Sequence, residues 1–172
     1  MSDDVLEFDA TTIPGRPCSM AAALSLVGEK WALFAVREIF WGNHRFDEIA
    51  RNTGAPRDRL AARLRGLEAA GVVERRPYSD RPLRHEYHLT PAGRDLSTVM
   101  QALRSWGDRW LIGEPPAAVA HSCGEDLDAL YVCRHCGDEV RNRDLELQMR
   151  TPHWDLAGPV APPAQEEAAA RA

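Results

Sequence analysis

Cysteine is scarce in this chain: four in 172 residues, far below the density of a disulfide-stapled scaffold, so a reducing cytoplasmic compartment is the expectation. Long apolar runs are missing too. No stretch approaches the ~20 consecutive apolar residues that span a bilayer. The start, from Met1 to Phe8, is acidic where a secretory leader would be basic and then apolar. Membrane insertion and secretion are therefore not expected. No internal repeat is present, and there is no phosphate-cradling glycine loop, nucleophile elbow or HExxH motif. The one Cys/His cluster reads His121-Ser122-Cys123 where a zinc deaminase needs His-x-Glu, so the catalytic acid is absent and no enzyme is expected.

What is present is an ordinary globular composition, 44% apolar and 27% charged. At this length a chain buries close to 70% of its unfolded surface, enough for one domain with appendages. The net charge of -5 hides an uneven distribution. Residues 51–94 hold ten arginines against five acids, whereas residues 113–172 hold eleven acids against five arginines. The local field of the middle decides what docks there, and a polyanion is the natural candidate.

The pattern along the chain gives the organisation. Residues 1–16 lack periodicity and read as a mobile arm. From Pro17, Met20, Leu24 and Val27 form one helical stripe that Gly28 interrupts, and a second helix runs from about Lys30 to Phe40; both are expected to be mostly core. A short helix over 46–51 is followed by the polar turn Asn52-Thr53-Gly54-Ala55. From Pro56 to Ala70, Leu60, Leu64 and Leu67 recur at i, i+4 and i+7, and Gly71 ends the helix. Residues 72–78 and 85–89 read as the strands of a small hairpin about the turn Ser79-Asp80-Arg81-Pro82. Thr90-Pro91 is a hydroxyl N-cap followed by a first-turn proline, and its helix continues to Trp110.

A helix, a tight turn, a second helix and a β-hairpin in this order make a winged helix-turn-helix. With the leucine face of the second helix anchored, Asp58, Arg59, Ala62 and Arg65 point away from the core, flanked by Arg57 and Arg63. That face can enter the roughly 12 Å wide major groove of duplex DNA, where arginine pairs in bidentate fashion with guanine. Arg81, Arg84 and His85 near the hairpin tip are placed for neighbouring phosphates or the minor groove. The competing reading is a solvated surface helix whose arginines pair with Glu68, Glu74 and Glu86. A protein-interaction or RNA-binding adaptor on the same scaffold is the alternative function.

Several motifs occur in order: Cys18-Ser19-Met20, Leu26-Val27-Gly28-Glu29-Lys30-Trp31, Arg37-Glu38, Arg45-Phe46-Asp47-Glu48-Ile49, the run from Arg59 to Glu68, Gly71-Val72-Val73-Glu74-Arg75, Glu86-Tyr87-His88-Leu89-Thr90, Gly93 and Trp106-Gly107. Across Cys18 to Trp110 this resembles the HxlR family of bacterial transcriptional regulators, relatives of the MarR regulators. The resemblance implies a homodimeric repressor or activator, with repressor the preferred reading for this chain, on a pseudo-palindromic operator, with the first and last helices of the domain as dimer interface. It also implies a small-molecule or oxidant effector. The apolar surplus of the last helix (Leu96, Val99, Met100, Leu103, Trp106, Trp110) agrees with a partner surface. In some members of the resembled family a cysteine matching Cys18 senses oxidants. Its place before a helix start suits a reactive thiol, and packing of the arm is the alternative.

The remaining cysteines form His121-x-Cys123, then Cys133-x-x-Cys136-Gly137 after nine intervening residues. Four such ligands suit tetrahedral zinc acting as a fold staple, with His135 able to replace His121. A Cys133/Cys136 redox pair or unliganded thiols are the other readings. The expected fold class is mainly α with a small β-hairpin wing, plus a short C-terminal zinc-ribbon-like segment. The expected divisions are an arm (1–16), the winged domain (17–112), a linker (113–120), the Cys/His segment (121–150) and a disordered tail (151–172).

Overall fold

The computed structural model describes residues 15–160, which divide into two compact units, one of residues 19–116 and one of residues 15–18 with 117–160. The first unit contains α1 (Ser19–Val27), α2 (Lys30–Phe40), α3 (Phe46–Thr53), α4 (Arg57–Ala69), β1 (Val73–Asp80), β2 (Leu83–Leu89) and α5 (Pro91–Trp110). It is a winged helix-turn-helix: mainly helical, with one two-stranded antiparallel hairpin.

Its core gathers Ala32, Ala35, Val36 and Ile39 of α2, Ile49 of α3, Leu60, Leu64 and Leu67 of α4, and Val72, Val73 and Leu89 around the hairpin root. The three α4 leucines are buried at most 1% from complete, and each contributes about 1.5–3 kcal/mol over an exposed position. They fix the rotation of α4 about its axis, which decides what its other face presents.

The α3–α4 turn is shorter than the sequence suggests. Asn52 and Thr53 belong to α3, because the Thr53 hydroxyl donates to the Ile49 carbonyl at 2.7 Å and lets the helix run on. Gly54 then closes the helix at φ +67°, a left-handed conformation open to glycine. Pro56 caps α4 instead of starting it. At the other end Gly71, at φ +70°, turns the chain into the hairpin.

Three features lock the helices together. Glu38, 3% exposed, takes hydrogen bonds from Arg37 (2.8 and 3.1 Å), the Asn43 side chain (2.9 Å) and the Asn52 side chain (3.0 Å). It thus ties α2 to the connector after it and to the end of α3. Thr90 caps α5 by accepting from the Gly93 amide at 3.2 Å, while its hydroxyl donates to the Gly71 carbonyl at 2.6 Å. The α2–α3 connector also joins the hairpin: Arg45 bridges Glu86 in antiparallel fashion, the Tyr87 amide donates to the His44 carbonyl at 2.8 Å, and the His44 and His88 rings stack at 4.3 Å.

The hairpin is longer than expected. β1 and β2 pair out to Ser79↔Arg84 and Asp80↔Leu83, leaving only Arg81 and Pro82 as the turn, with an irregularity in register between Pro77 and Ser79. The expectation that α1 is core is corrected: of its stripe only Val27 is buried, and Met20 and Leu24 are more than half exposed. α5 likewise exposes Val99, Leu103, Trp106 and Trp110. Among the described residues no single helix is long and apolar enough to cross a membrane, and the α1–α2 pair, apolar enough together, is bent by 79°.

In the second unit no described residue is buried. It is built of short turns closed by the bridges Ala120↔Asp126, Val132↔Glu139 and Trp154↔Pro159, with one 3-10 turn at Asn142–Asp144. Arg16 belongs to it, donating to the Leu156 carbonyl at 2.8 Å. The tail expected to be disordered from 151 is described as far as Val160, where Trp154 and Pro159 pair; its remainder and residues 1–14 of the expected arm lie outside the described residues.

Candidate nucleic-acid interface

With Leu60, Leu64 and Leu67 turned inward, Asp58, Arg59, Ala62 and Arg65 are exposed along the outer face of α4, with Arg57 exposed and Arg63 half-exposed beside them. Their partners sort them. Arg57 lies 2.7 Å from the Asp47 carboxylate with its guanidinium over the Phe46 ring, and Arg63 reaches Glu29 at 3.6 Å. Arg59 and Arg65 make no ion pair or hydrogen bond among the described residues, nor do Arg81 and Arg84 of the hairpin. Glu68, Glu74 and Glu86 pair instead with Arg75, Arg76 and Arg45, none of these arginines on α4. The Arg57–Asp47 pair is mostly exposed on both sides, so it is worth at most about 1 kcal/mol and exchanges readily for a phosphate.

The start of α3, the start of α4 and the hairpin enclose a crevice of about 570 Å³. It brings Arg57 together with Arg84 and His85, three residues singled out from sequence. It adds Arg45, Arg75, Tyr78 and Tyr87, which sequence reasoning missed. Arg45 spans Glu86 at 3.3 Å and the Tyr78 ring at 4.7 Å. Burial pushes the Tyr87 hydroxyl above its ordinary value, while Arg75 opposes the shift, and bonding to Glu68 raises the Arg75 guanidinium. Arg59, Ala62, Arg63, Arg65 and Arg81 lie outside the crevice lining. No regular spacing marks the missed residues: Arg75 and Tyr78 stand three apart on β1, Tyr87 lies on β2, and Arg45 precedes α3. Which of them face α3 depends on register, including the irregularity at Tyr78, and is not readable from one strand alone.

Cys18 immediately precedes α1, half-buried and unbridged. Cys123, Cys133 and Cys136 are also free thiols. Cys133 and Cys136 are brought together: the Cys133 thiol lies below its ordinary value because the backbone amides of Cys136 and His135, and the Cys136 side chain, donate to its sulfur. His121 instead accepts from the Cys123 amide at 3.3 Å. Among the described residues no three His, Cys, Asp or Glu side chains converge as a metal-holding group.

The model of the HxlR-like helix-turn-helix family matches residues 26–114. The chain belongs to that family. It is a family of helix-turn-helix transcriptional regulators, not of enzymes. The HTH-type transcriptional regulator Rv3095 of Mycobacterium tuberculosis is 47% identical over 130 residues, covering 74% of this chain and 82% of that relative. That alignment is longer than the HxlR-like span, so the likeness extends past the winged domain. The crystal structure of PA1607, described as a candidate transcription factor, matches with a TM-score of 0.67 at 30% identity over 76% of this chain and 94% of that one. The redox regulator HypR in its oxidized form matches with a TM-score of 0.50 at 32% identity, over 54% and 96% of the two chains. The HxlR-like span starts at Leu26 and so leaves out Cys18 and most of α1, where the sequence resemblance begins.

Proposed function

We propose that this HxlR-like chain is a sequence-specific repressor that binds a pseudo-palindromic operator as a homodimer. One observation carries the reading: three buried leucines hold α4 so that Arg59 and Arg65, with no ion pair or hydrogen bond among the described residues, project from its outer face. Unpaired guanidinium groups keep all five donors for phosphates and guanine edges, and no intramolecular pair has to be broken on binding. The crevice beside α4, with Arg57, Arg84 and His85, is placed for the flanking phosphates, which position the protein while α4 reads bases.

The exposed apolar faces of α1 and α5 support a second copy of the chain as partner, and a two-fold assembly places two α4 helices for two half-sites. Cys18 is the candidate oxidant sensor; HypR, a relative in fold and sequence, is named as a redox regulator, which supports that assignment.

The test is binding of the full-length protein to a duplex recovered by in vitro selection, followed across salt concentration. A DNA reader loses affinity by roughly a thousandfold or more between about 50 and 200 mM salt. It also prefers its selected duplex over bulk DNA by about a thousandfold or more. A flat salt response without sequence preference would favour an adaptor and overturn the reading.

A further inference from the structure

The second unit presents two similar turns, the second one residue longer than the first. In the first, the His121 amide donates to the Glu125 carbonyl at 2.8 Å, the Gly124 amide returns to the His121 carbonyl at 3.0 Å, and Gly124 adopts φ +98° inside the Ala120↔Asp126 bridge. In the second, the Cys133 amide donates to the Asp138 carbonyl at 2.9 Å, the Gly137 amide returns to the Cys133 carbonyl at 2.8 Å, and Gly137 adopts φ +80° inside the Val132↔Glu139 bridge. Each turn opens on a metal-ligating residue and closes on a cysteine followed by a left-handed glycine. In the second turn the His135 and Cys136 N–H groups point at the Cys133 sulfur, which keeps lone pairs for a metal; in the first the Cys123 N–H occupies the lone pair of His121 Nδ1 at 3.3 Å, so His121 ligates only once that contact is released.

We propose that these turns are two halves of one structural site for a soft divalent cation of the zinc type, held by Cys133, Cys136, Cys123 and His121. Cys133 and Cys136 already meet; the ion draws the first turn onto them, replacing the long amide contact of His121. Two arguments favour an ion over a disulfide. No described residue between 117 and 160 is buried, and a segment this small without a core needs a staple. A Cys133–Cys136 disulfide closes only a four-residue ring and leaves the first turn unattached, whereas an ion joining both turns removes much more chain freedom. Four ligands of Cys and His fit tetrahedral zinc.

The test uses full-length protein purified without a histidine tag under reducing conditions and exposed to zinc. About one zinc per chain is expected, and cobalt substitution should give thiolate-to-cobalt charge-transfer absorption with the intense visible bands of a tetrahedral site. Cys123→Ser, Cys133→Ser and Cys136→Ser should each lose the metal, and Cys18→Ser should keep it. A readout needing no variant guards against misfolding: zinc should shield Cys123, Cys133 and Cys136 from alkylation until a chelator is added, leaving the Cys18 rate unchanged. No bound zinc, no shielding, or full retention in Cys123→Ser would each overturn the site.

Discussion

The Gly93 α-carbon lies under the Val72 carbonyl so closely that a β-carbon built on it falls 2.2 Å from that oxygen. The contact joins the first turn of α5 to the root of the hairpin, where the Thr90 cap and the Gly71 turn also meet. Glycine inside a helix usually costs about 0.5–1 kcal/mol against alanine. Here the sign reverses, because the obstacle is backbone and cannot swing aside. Gly93→Ala should lower unfolding free energy by about 1–3 kcal/mol, as overpacking does; chemical denaturation showing equal or greater stability would contradict the packing described.

Glu38 is a buried carboxylate with three hydrogen-bonding neighbours on three segments. Glu38→Ala leaves the Asn43 and Asn52 amides short of an acceptor and should cost about 1–3 kcal/mol in urea unfolding. An exposed glutamate of the same helix position would cost a few tenths, so a loss that small would show that the cluster is not holding α2 to α3.

How far the sequence predicts this arrangement depends on which forces act locally. The α4 leucine spacing, Gly71 and the Thr90-Pro91 cap are local signals, and the corresponding elements stand within about two residues of expectation. The site divides along the same line. The outer face of α4 follows from the period of its own helix. The crevice with Arg45, Arg75, Tyr78 and Tyr87 forms only when α3, α4 and both strands meet in one register. Glu38 gave no sign of burial, since a charged residue in an amphipathic helix is normally solvated and its partners lie in later segments. The α1 stripe misled for the opposite reason: apolar periodicity marks a face suited to burial, and Met20 and Leu24 of that face are more than half exposed here.

The uncovered apolar face of α5 yields a prediction about assembly. Leu103 and Trp106 are each more than half exposed, so replacing them leaves the single chain's core intact. Sedimentation equilibrium should find the wild type at twice the 19.2 kDa chain mass, and Leu103→Glu with Trp106→Glu at one chain mass with unchanged helical content. Wild type and variant sedimenting alike would remove the proposed dimer face.

Cys18 gives a second functional prediction. Peroxide treatment should weaken binding of the wild type to its selected duplex, reversibly by thiol reductant, and should leave Cys18→Ser unaffected. Equal loss in the two proteins would assign the sensitivity elsewhere.

The most direct measurement is guanine-methylation interference on the selected duplex, run with wild type, Arg59→Ala and Arg65→Ala. An α4 helix in the major groove predicts interference at guanines in two clusters about one helical turn or a whole multiple apart. At least one arginine variant should be insensitive to methylation at a guanine that blocks the wild type, while losing about 1–3 kcal/mol of binding. Interference patterns and affinities identical among the three proteins would contradict the placement of α4 against base edges.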